Sequence, residues 1–195
     1  MKVLVIGVGG VGCSTIYLIA GMNVNFDICD NDIIEESNLN RQFFYNINDI
    51  GKKKVVVAKE KLLLYFPHLM NDIITYEEIE KIDFNNYDLI VDCTDNIKTR
   101  KKISEKCKKS NKALLYVSAQ NTIARVGLFV SKYLHEFVIE GEEKQINCFH
   151  CPSAAFTAGS IAANEIVKFI SGKPFLKNKI LVMDLNENKI RIIKI

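Results

Sequence analysis

Four glycines directly follow the first apolar run of the chain. The run 3–6 is rich in β-branched residues, as a buried parallel strand is, and Gly7, Gly9, Gly10 and Gly12 come immediately after it. A glycine turn lets the backbone approach a polyphosphate. The helix that follows offers unpaired N–H groups and the positive end of its dipole to the anion. The segment therefore predicts a nucleotide site at a strand–turn–helix junction.

Apolar runs and helical patterns alternate through the first 120 residues. Strands are predicted over 2–6, 25–30, 72–76, 88–92 and 113–118. Helices are predicted over 10–21, 52–66 and 96–109. This alternation is typical of the α/β class, and specifically of a Rossmann-like, doubly wound and mainly parallel sheet.

The pattern changes after residue 120. The runs 122–131 and 134–140 are predicted to pair as antiparallel strands, and a helix is expected over about 157–171. The tail has the pattern of a hairpin, with 179–184 and 189–195 as its two strands. We therefore expect antiparallel C-terminal strands to extend the parallel sheet, within one domain that covers residues 1–195.

The bulk composition argues against several classes of protein. A formal net charge of +3 is too small to imply nucleic-acid binding. The nearly uncharged residues 3–22 are interrupted by glycines, which argues against a membrane span or a signal peptide. We expect a cytoplasmic protein whose six cysteines are mostly reduced thiols of the core.

Asp30 ends the second predicted strand. In a doubly wound fold, an acid at this position accepts hydrogen bonds from the hydroxyls of a ribose. The alternative is an aspartate that only starts the turn over 30–32. The glycine turn upstream favours ribose binding.

Two polar segments, 36–42 and 51–55, carry candidate cations. We expect them to bring Arg41 and Lys54 toward a triphosphate. Positive charge is needed there, because an anionic nucleophile that attacks a phosphate develops further negative charge. The alternative is a surface loop with ordinary charges.

The segment 92–96 follows the fourth predicted strand at the carboxyl edge of the sheet, where doubly wound folds bind their ligands. An aspartate there can hold Mg²⁺ against phosphate oxygens. Thr94 or Asp95 is also a candidate cap for the helix that starts near residue 96. The two roles are compatible.

These motifs, in this order, resemble those of the E1-like adenylyltransferases, the ThiF/MoeB/HesA family. The matching segments are the glycine turn 7–12, Asp30-x-Asp32, Ser37-Asn38-Leu39-Asn40-Arg41-Gln42, Gly51-x-x-Lys54 and Asp92-Cys93-Thr94-Asp95-Asn96. The family includes activators of the sulfur carriers of thiamin and molybdopterin synthesis, and the adenylation domain of ubiquitin-activating enzymes.

The resemblance implies an ATP site and a reaction. The nucleotide-binding residues it implies are Gly7, Gly9, Gly10, Gly12, Asp30, Asp32, Asn38, Arg41, Gln42, Lys54 and Asp95. Within this set Asp30 would hold the ribose and Asp95 would bind Mg²⁺, while Arg41, Lys54 and Asp95 would act in catalysis. The implied reaction is attack of a carboxylate on the α-phosphate of ATP, which gives an acyl-adenylate and pyrophosphate.

Two substrate classes are compatible with this resemblance. One is the C-terminal glycine of a ubiquitin-like sulfur carrier protein. The other is a small carboxylate, such as the pyridinol carboxylate of the iron-guanylylpyridinol cofactor, which a compact family member adenylylates. The resemblance and the apolar late strands predict a homodimer. The short segment 152–156, where many relatives have a long loop that sometimes carries a reactive cysteine, favours a partner enzyme that takes over the adenylate.

The cysteine pattern departs from that of the family. Relatives bind zinc with two Cys-x-x-Cys pairs, whereas this chain has only the pair Cys148 and Cys151, and four-coordinate zinc needs two more ligands. They would come from a second subunit or from His150, or the site binds no zinc. Cys13 and Cys93 are interpreted as packing residues, so we expect the chemistry to stop at the adenylate.

A second departure concerns an arginine. Some relatives send an arginine from an N-terminal helix into the site of the partner subunit, and that residue has no counterpart in this sequence. Arg100 and Arg125 are the candidates to replace it.

Two other classes of protein remain as alternatives. The glycine turn and Asp30 are also found in NAD-dependent oxidoreductases. Against that class, none of the three histidines lies in a strand-end motif. A non-catalytic nucleotide-binding protein is the other alternative.

Overall fold

The computed structural model describes residues 1–69, 73–136 and 151–195. The strands are β1 (Lys2–Ile6), β2 (Asn25–Cys29), β3 (Thr75–Tyr76), β4 (Leu89–Asp92), β5 (Ala113–Gln120), β6 (Ile123–Phe129), β7 (Lys179–Asp184) and β8 (Lys189–Lys194). The helices are α1 (Gly10–Gly21), α2 (Lys54–Tyr65), α3 (Ile97–Lys109) and α4 (Pro152–Ile170).

These strands form a single sheet in the order β3-β2-β1-β4-β5-β6-β7-β8. The pairs from β3 to β5 are parallel, and β6, β7 and β8 are each antiparallel to the strand before them. The chain builds outward from β1 in one direction and then crosses to β4 on the other side. The predicted fold class is confirmed: a doubly wound, Rossmann-like sheet with an antiparallel extension.

Helices cover both faces of the parallel strands. Because side chains alternate across a strand, Val3 and Val5 pack with the buried residues of α1, α2 and α4. Leu4, on the opposite face, packs with Ile103 and Cys107 of α3. The carboxyl ends of the strands stay open between these two layers.

Small residues allow α1 and α4 to pack closely. A Cβ atom placed on Gly159 would lie 2.1 Å from Ser14 Oγ, so only glycine fits there. The Ser14 hydroxyl lies within hydrogen-bonding distance of the Ala155 carbonyl oxygen, at 3.1 Å. This contact sets the first turn of α4 beside the start of α1.

The nearly uncharged stretch 3–22 forms β1, the glycine turn and the 12-residue helix α1. Much of α1 is buried between the sheet and its helical neighbours, which explains its lack of charge. Among the described helices, none has the length and apolarity that crossing a bilayer requires.

Two predictions about the second half of the chain are wrong. The strand predicted over 134–140 is wrong at its start, because Leu134–Glu136 is a 3-10 turn, and residues 137–140 lie outside the described residues; β6 pairs instead with β5 and β7. Tyr133 and Leu134 are apolar because they pack in the core on the α3 side of the sheet. Helix α4 begins at Pro152 rather than near residue 157, because proline suits the first turn of a helix.

Candidate functional site

A cleft of about 1570 Å³ opens at the carboxyl ends of the parallel strands, where doubly wound folds bind ligands. The glycine turn, the ends of β2 and β4, and the β5–β6 hairpin contribute to its walls. The predicted nucleotide-binding residues that line it are Gly7, Gly9, Gly10, Asp30, Asp32, Arg41, Gln42, Lys54 and Asp95. Gly12 and Asn38 do not line it.

The glycines of the turn serve two purposes. Gly7 has a φ of +95°, and a Cβ atom there would lie 2.8 Å from the Cys93 backbone. A Cβ atom on Gly12 would lie 1.9 Å from the Gly7 carbonyl oxygen. Gly7 and Gly12 are thus required by the turn itself, whereas Gly9 and Gly10 form the surface of the cleft.

The start of α1 leaves backbone donors unpaired at the cleft. The Cys13 N–H donates to the Gly9 carbonyl at 2.8 Å, and the amides before Cys13 have no acceptor within the helix. The positive end of the helix dipole lies at the same place. This arrangement suits an anion such as a phosphate.

Asp30 joins the end of β2 to the glycine turn. Its carboxylate accepts hydrogen bonds from the Val8 N–H at 2.6 Å and from the Asp32 N–H at 2.8 Å. Burial raises the pKa of Asp30, and the nearby Lys54 charge and the two N–H donors oppose that rise. The structure thus shows the turn role, and the ribose contact stays a prediction.

Lys54 is tied to the same turn. Its ammonium group is buried and lies 2.8 Å from the exposed carboxylate of Asp32. The Lys54 N–H donates to the Asp32 carbonyl at 3.1 Å, and the Ile34 N–H donates to the Lys52 carbonyl at 2.9 Å. The motif Asp30-x-Asp32 and the motif Gly51-x-x-Lys54 therefore lie side by side and form one wall of the cleft.

Arg41 lies on the cleft wall, close enough to Asp95 for their charges to interact. Its guanidinium donates to the Ser37 carbonyl at 2.8 Å and to Asn40 Oδ1 at 3.1 Å. Partial burial lowers the pKa of Arg41, and the Asp95 carboxylate opposes that shift. Arg41 and Asp95 belong to different motifs that lie far apart in the sequence, and the fold brings them to the same cleft.

Gln42 and Asn38 differ in their position relative to the cleft. Gln42 is buried on the cleft wall, and its Oε1 atom has no hydrogen-bond partner among the described residues. Asn38 Oδ1 instead accepts from the Glu35 N–H at 3.2 Å and holds the 3-10 turn over Glu36–Asn38. Asn38 does not line the cleft, and this position does not favour the predicted contact with phosphate. That contact stays a prediction.

The segment after β4 divides its roles among neighbouring residues. Asp92 is fully buried, and its Oδ1 atom accepts from the Thr94 N–H at 2.9 Å and the Thr94 hydroxyl at 2.7 Å. Burial raises the pKa of Asp92, and the Arg100 charge opposes that rise. Asp95 is exposed on the cleft wall, where its carboxylate is accessible to a cation.

The predicted cap of α3 is wrong. The side chain of Asn96, rather than of Thr94 or Asp95, accepts from the Thr99 N–H at 3.1 Å. The Thr94 hydroxyl is already bonded to Asp92. Asp95 is therefore left without a capping role.

Arg100 and Arg125 both line this cleft from within the same chain. Arg100 is buried, donates to the Thr94 and Val117 carbonyls, and lies 4.6 Å from the centroid of the Tyr116 ring. Arg125 projects from β6 on the same wall as Ser118, its partner on β5. A catalytic role for either arginine stays a prediction.

Tyr45 belongs to the site although no sequence motif points to it. Its hydroxyl donates to the Val8 carbonyl at 2.9 Å and lies 3.4 Å from the Lys54 carbonyl. The residue is buried within an aromatic and apolar stretch, so its sequence context indicates only a core position. Val8 precedes Tyr45 by 37 residues, and only the fold shows this connection.

The structure describes some of the cysteines for which the sequence predicts a role, but not all of them. Cys148 and His150 lie outside the described residues, and among the described residues no group of three or more His, Cys, Asp or Glu side chains is arranged to hold a metal. Cys151 is half-buried on the cleft wall, with its Sγ atom 2.9 Å from Ser153 Oγ. Burial raises the pKa of Cys13 and Cys93 to about 12, so both are protonated packing residues.

The fold and the cleft define a Rossmann-like protein with a glycine turn for a nucleotide phosphate. The chain belongs to the ThiF family, whose profile matches residues 1–195. The family predicted from the motifs is thereby confirmed.

Relatives extend beyond the length of this chain. A probable molybdopterin-synthase adenylyltransferase of Porphyra purpurea is 33% identical over 98% of this chain and 55% of its own length. The adenylyltransferase and sulfurtransferase uba4 of Aspergillus niger is 40% identical over 62% of this chain and 26% of its own length. The chain thus spans about half or less of these two relatives.

Solved structures show the same fold. E. coli MccB with ATP superposes with a TM-score of 0.84 at 25% identity, over 99% of this chain and 63% of that one. PaaA superposes with a TM-score of 0.80 at 22% identity, over 100% of this chain and 64% of that one, a likeness of fold alone.

Proposed function

We propose that this protein is an ATP-dependent adenylyltransferase that activates a carboxylate. A carboxylate oxygen attacks the α-phosphorus of ATP, the bond from that phosphorus to the β-phosphate bridging oxygen breaks, and pyrophosphate leaves. The product is an acyl-adenylate. The names of the two curated relatives, both adenylyltransferases, support this reaction class.

One observation carries the proposal: Arg41, Lys54 and Asp95 line a single cleft together with the glycine turn. The reaction brings two anions together, so it needs positive charge at the reacting phosphate. Arg41 and Lys54 supply that charge, and the glycine turn supplies backbone donors. A dehydrogenase has no comparable need for two cations at this place.

Asp95 is the proposed ligand of Mg²⁺. Its carboxylate is exposed in the cleft and is not used as a helix cap. Carboxylate oxygens suit Mg²⁺, which is usually bound through one or two carboxylates and the substrate phosphates. The ion would supply further charge neutralisation at the phosphates.

The substrate is proposed at the level of its chemistry. The candidates are the C-terminal carboxylate of a sulfur carrier protein and a small carboxylate, and either would react in the cleft at the carboxyl ends of the strands. A downstream enzyme would accept the acyl group from the adenylate, and the two cysteines of the nucleotide motifs, Cys13 and Cys93, are buried and protonated. We also propose that Cys148 and Cys151 contribute two ligands to a zinc site, and that the protein is cytoplasmic.

ATP–pyrophosphate exchange tests this function. Purified protein with Mg²⁺ is assayed against a carrier protein with a C-terminal glycine and against a panel of small carboxylates. Exchange that depends on one of these acids is the expected result. Stabilisation of the protein against heat by NAD⁺, with none by ATP and Mg²⁺, would instead support an oxidoreductase.

Asp95→Asn tests the metal site in the same assay. We expect exchange to fall at least about 100-fold, since a charge interaction with the reacting phosphates is lost. The exposed position predicts an unchanged melting temperature. Asp184→Asn, on β7 and away from the cleft lining, is the matched control and should keep full exchange. Near-normal exchange by Asp95→Asn would show that Mg²⁺ is held elsewhere.

A further inference from the structure

The peptide group between Val8 and Gly9 is held by side chains on its interior side. The Val8 carbonyl accepts from the Tyr45 hydroxyl at 2.9 Å, and the Cys13 thiol lies 3.4 Å from the same oxygen. On the other side of Val8, its N–H donates to Asp30. Val8 is fully buried, so these bonds lie away from solvent.

A fixed carbonyl also fixes the amide attached to it. In a trans peptide the C=O and the N–H point in opposite directions, and the described chain has no cis peptide bond. With the Val8 carbonyl turned into the core, the Gly9 N–H must point the other way. Gly9 lines the cleft, so that direction is toward the proposed phosphate site.

We infer that Tyr45 is a positioning residue that aims the Gly9 N–H at the phosphates of ATP. The hydroxyl keeps the Val8 carbonyl, whose partial negative charge would repel a phosphate, out of the cleft. This inference rests on the proposed function, and it concerns a residue that touches no reacting atom.

The connections of Tyr45 support this role. Its N–H donates to the Gln42 carbonyl at 3.1 Å, so it closes the turn that follows Arg41. Its hydroxyl also lies near the Lys54 carbonyl. Burial raises the pKa of Tyr45, so the hydroxyl stays protonated and keeps its hydrogen for the Val8 carbonyl.

The test compares ATP with adenosine as ligands of Tyr45→Phe, which removes the hydroxyl and keeps the ring. We expect the affinity for ATP to fall about tenfold, the effect of weakening one hydrogen bond to a charged group. The affinity for adenosine, which has no phosphate, should change less than about twofold, since no hydrogen bond to a charged group is involved. Titration calorimetry measures both.

Tyr87→Phe is the matched control. Tyr87 is also buried and donates its hydroxyl to a buried acceptor, Asp27 Oδ2, at 2.6 Å, but that acceptor does not belong to the glycine turn. This variant should lose stability without changing the ratio of ATP to adenosine affinity. If Tyr45→Phe leaves that ratio unchanged, whether both ligands weaken or neither does, the inference is overturned.

Two further outcomes are separable. If the wild-type protein binds ATP no better than adenosine, the cleft has no phosphate site. That result would contradict both the proposed function and this inference. If Tyr45→Phe does not fold, the inference is tested by measuring hydrogen exchange of the Gly9 amide in the wild-type protein. Protection by ATP but not by adenosine is expected, and no protection by ATP overturns the inference.

Discussion

Several residues of the cleft hold the fold together as well as line the site. Asp30 bonds two backbone amides at the carboxyl edge of the sheet, and Lys54 pairs with Asp32 in the same wall. Most buried polar groups in proteins are bonded or paired, so a buried side chain that is placed for a ligand usually has protein partners as well. Substitutions here have to be judged by stability and by activity together.

Arg41→Ala should reduce turnover more than ATP binding. The guanidinium is proposed to stabilise charge that develops only in the transition state, so kcat for pyrophosphate exchange should fall about 100-fold or more while the Kd for ATP changes several-fold at most. Arg191→Ala, an exposed arginine of β8, is the control and should leave both unchanged. A loss of ATP affinity with kcat unchanged would mean that Arg41 binds the ground state and the transition state equally.

Asp92→Asn should change how stability depends on pH. Burial raises the pKa of Asp92 in the folded protein above its ordinary value of 3.8. A raised pKa contributes stability that is complete below the unfolded value and is lost as pH rises through the folded value. Urea unfolding at a series of pH values should therefore show Asp92→Asn gaining on the wild type as pH rises from 4. A constant difference across that series would contradict the prediction.

At the scale of elements, the site depends on how closely α4 approaches α1. The contact at Gly159 and Ser14 brings the start of α4 to the cleft, where Ala155 and Cys151 complete the wall. The buried face of α4, which includes Ala155, Gly159 and Ala162, is filled mostly by small residues, and small residues also predominate on α1. Close approach therefore depends on the absence of side-chain atoms at a few positions.

Gly159→Ala should destabilise the fold. The added methyl group would lie 2.1 Å from Ser14 Oγ and 2.8 Å from Ser14 Cβ, so the helices must separate. Overpacking of this kind costs about 1–3 kcal/mol in the free energy of unfolding. Ser160→Ala, at the exposed neighbouring position, is the control and should change it by less than about 0.5 kcal/mol. Equal urea midpoints for the two variants would show that the interface can relax.

Element types were easier to predict than strand partners. The parallel strands and the first three helices were found within a few residues, because each has a continuous apolar run or a helical period. The strands that pair with β6 were not predicted correctly. An apolar run in the sequence does not tell whether the segment forms a strand or a turn that packs on a helix. The turn after β6 is apolar for the second reason.

At the scale of the whole molecule, the sheet extends beyond the helices that cover it. Ile190, Ile192 and Ile193 of β8 are exposed, and β7 is half-buried along its length. The basic residues of β8 are Lys189, Arg191 and Lys194, which lie between and beside these isoleucines in the sequence. Together with the family resemblance, this apolar hairpin is the basis for proposing a homodimer.

The double variant Ile190→Lys with Ile192→Lys tests that proposal. Both side chains are exposed within one chain and lie on the same face, so the change should leave the fold intact. We expect sedimentation to show a dimer for the wild type and a monomer for the variant. A wild-type monomer would contradict the homodimer, and a variant that still dimerises would place the interface elsewhere.

The sequence by itself determined the fold class, the family and the order of the motifs along the glycine turn, Asp30, Arg41, Lys54 and Asp95. Those signals are local, because they depend on periodicity, turn chemistry and short spacings. Only the tertiary structure showed that Asn38 holds a turn, that Asn96 caps α3, and that Tyr45 bonds the glycine turn. These roles depend on which donor meets which acceptor once the chain has folded, and a linear pattern carries no such distances.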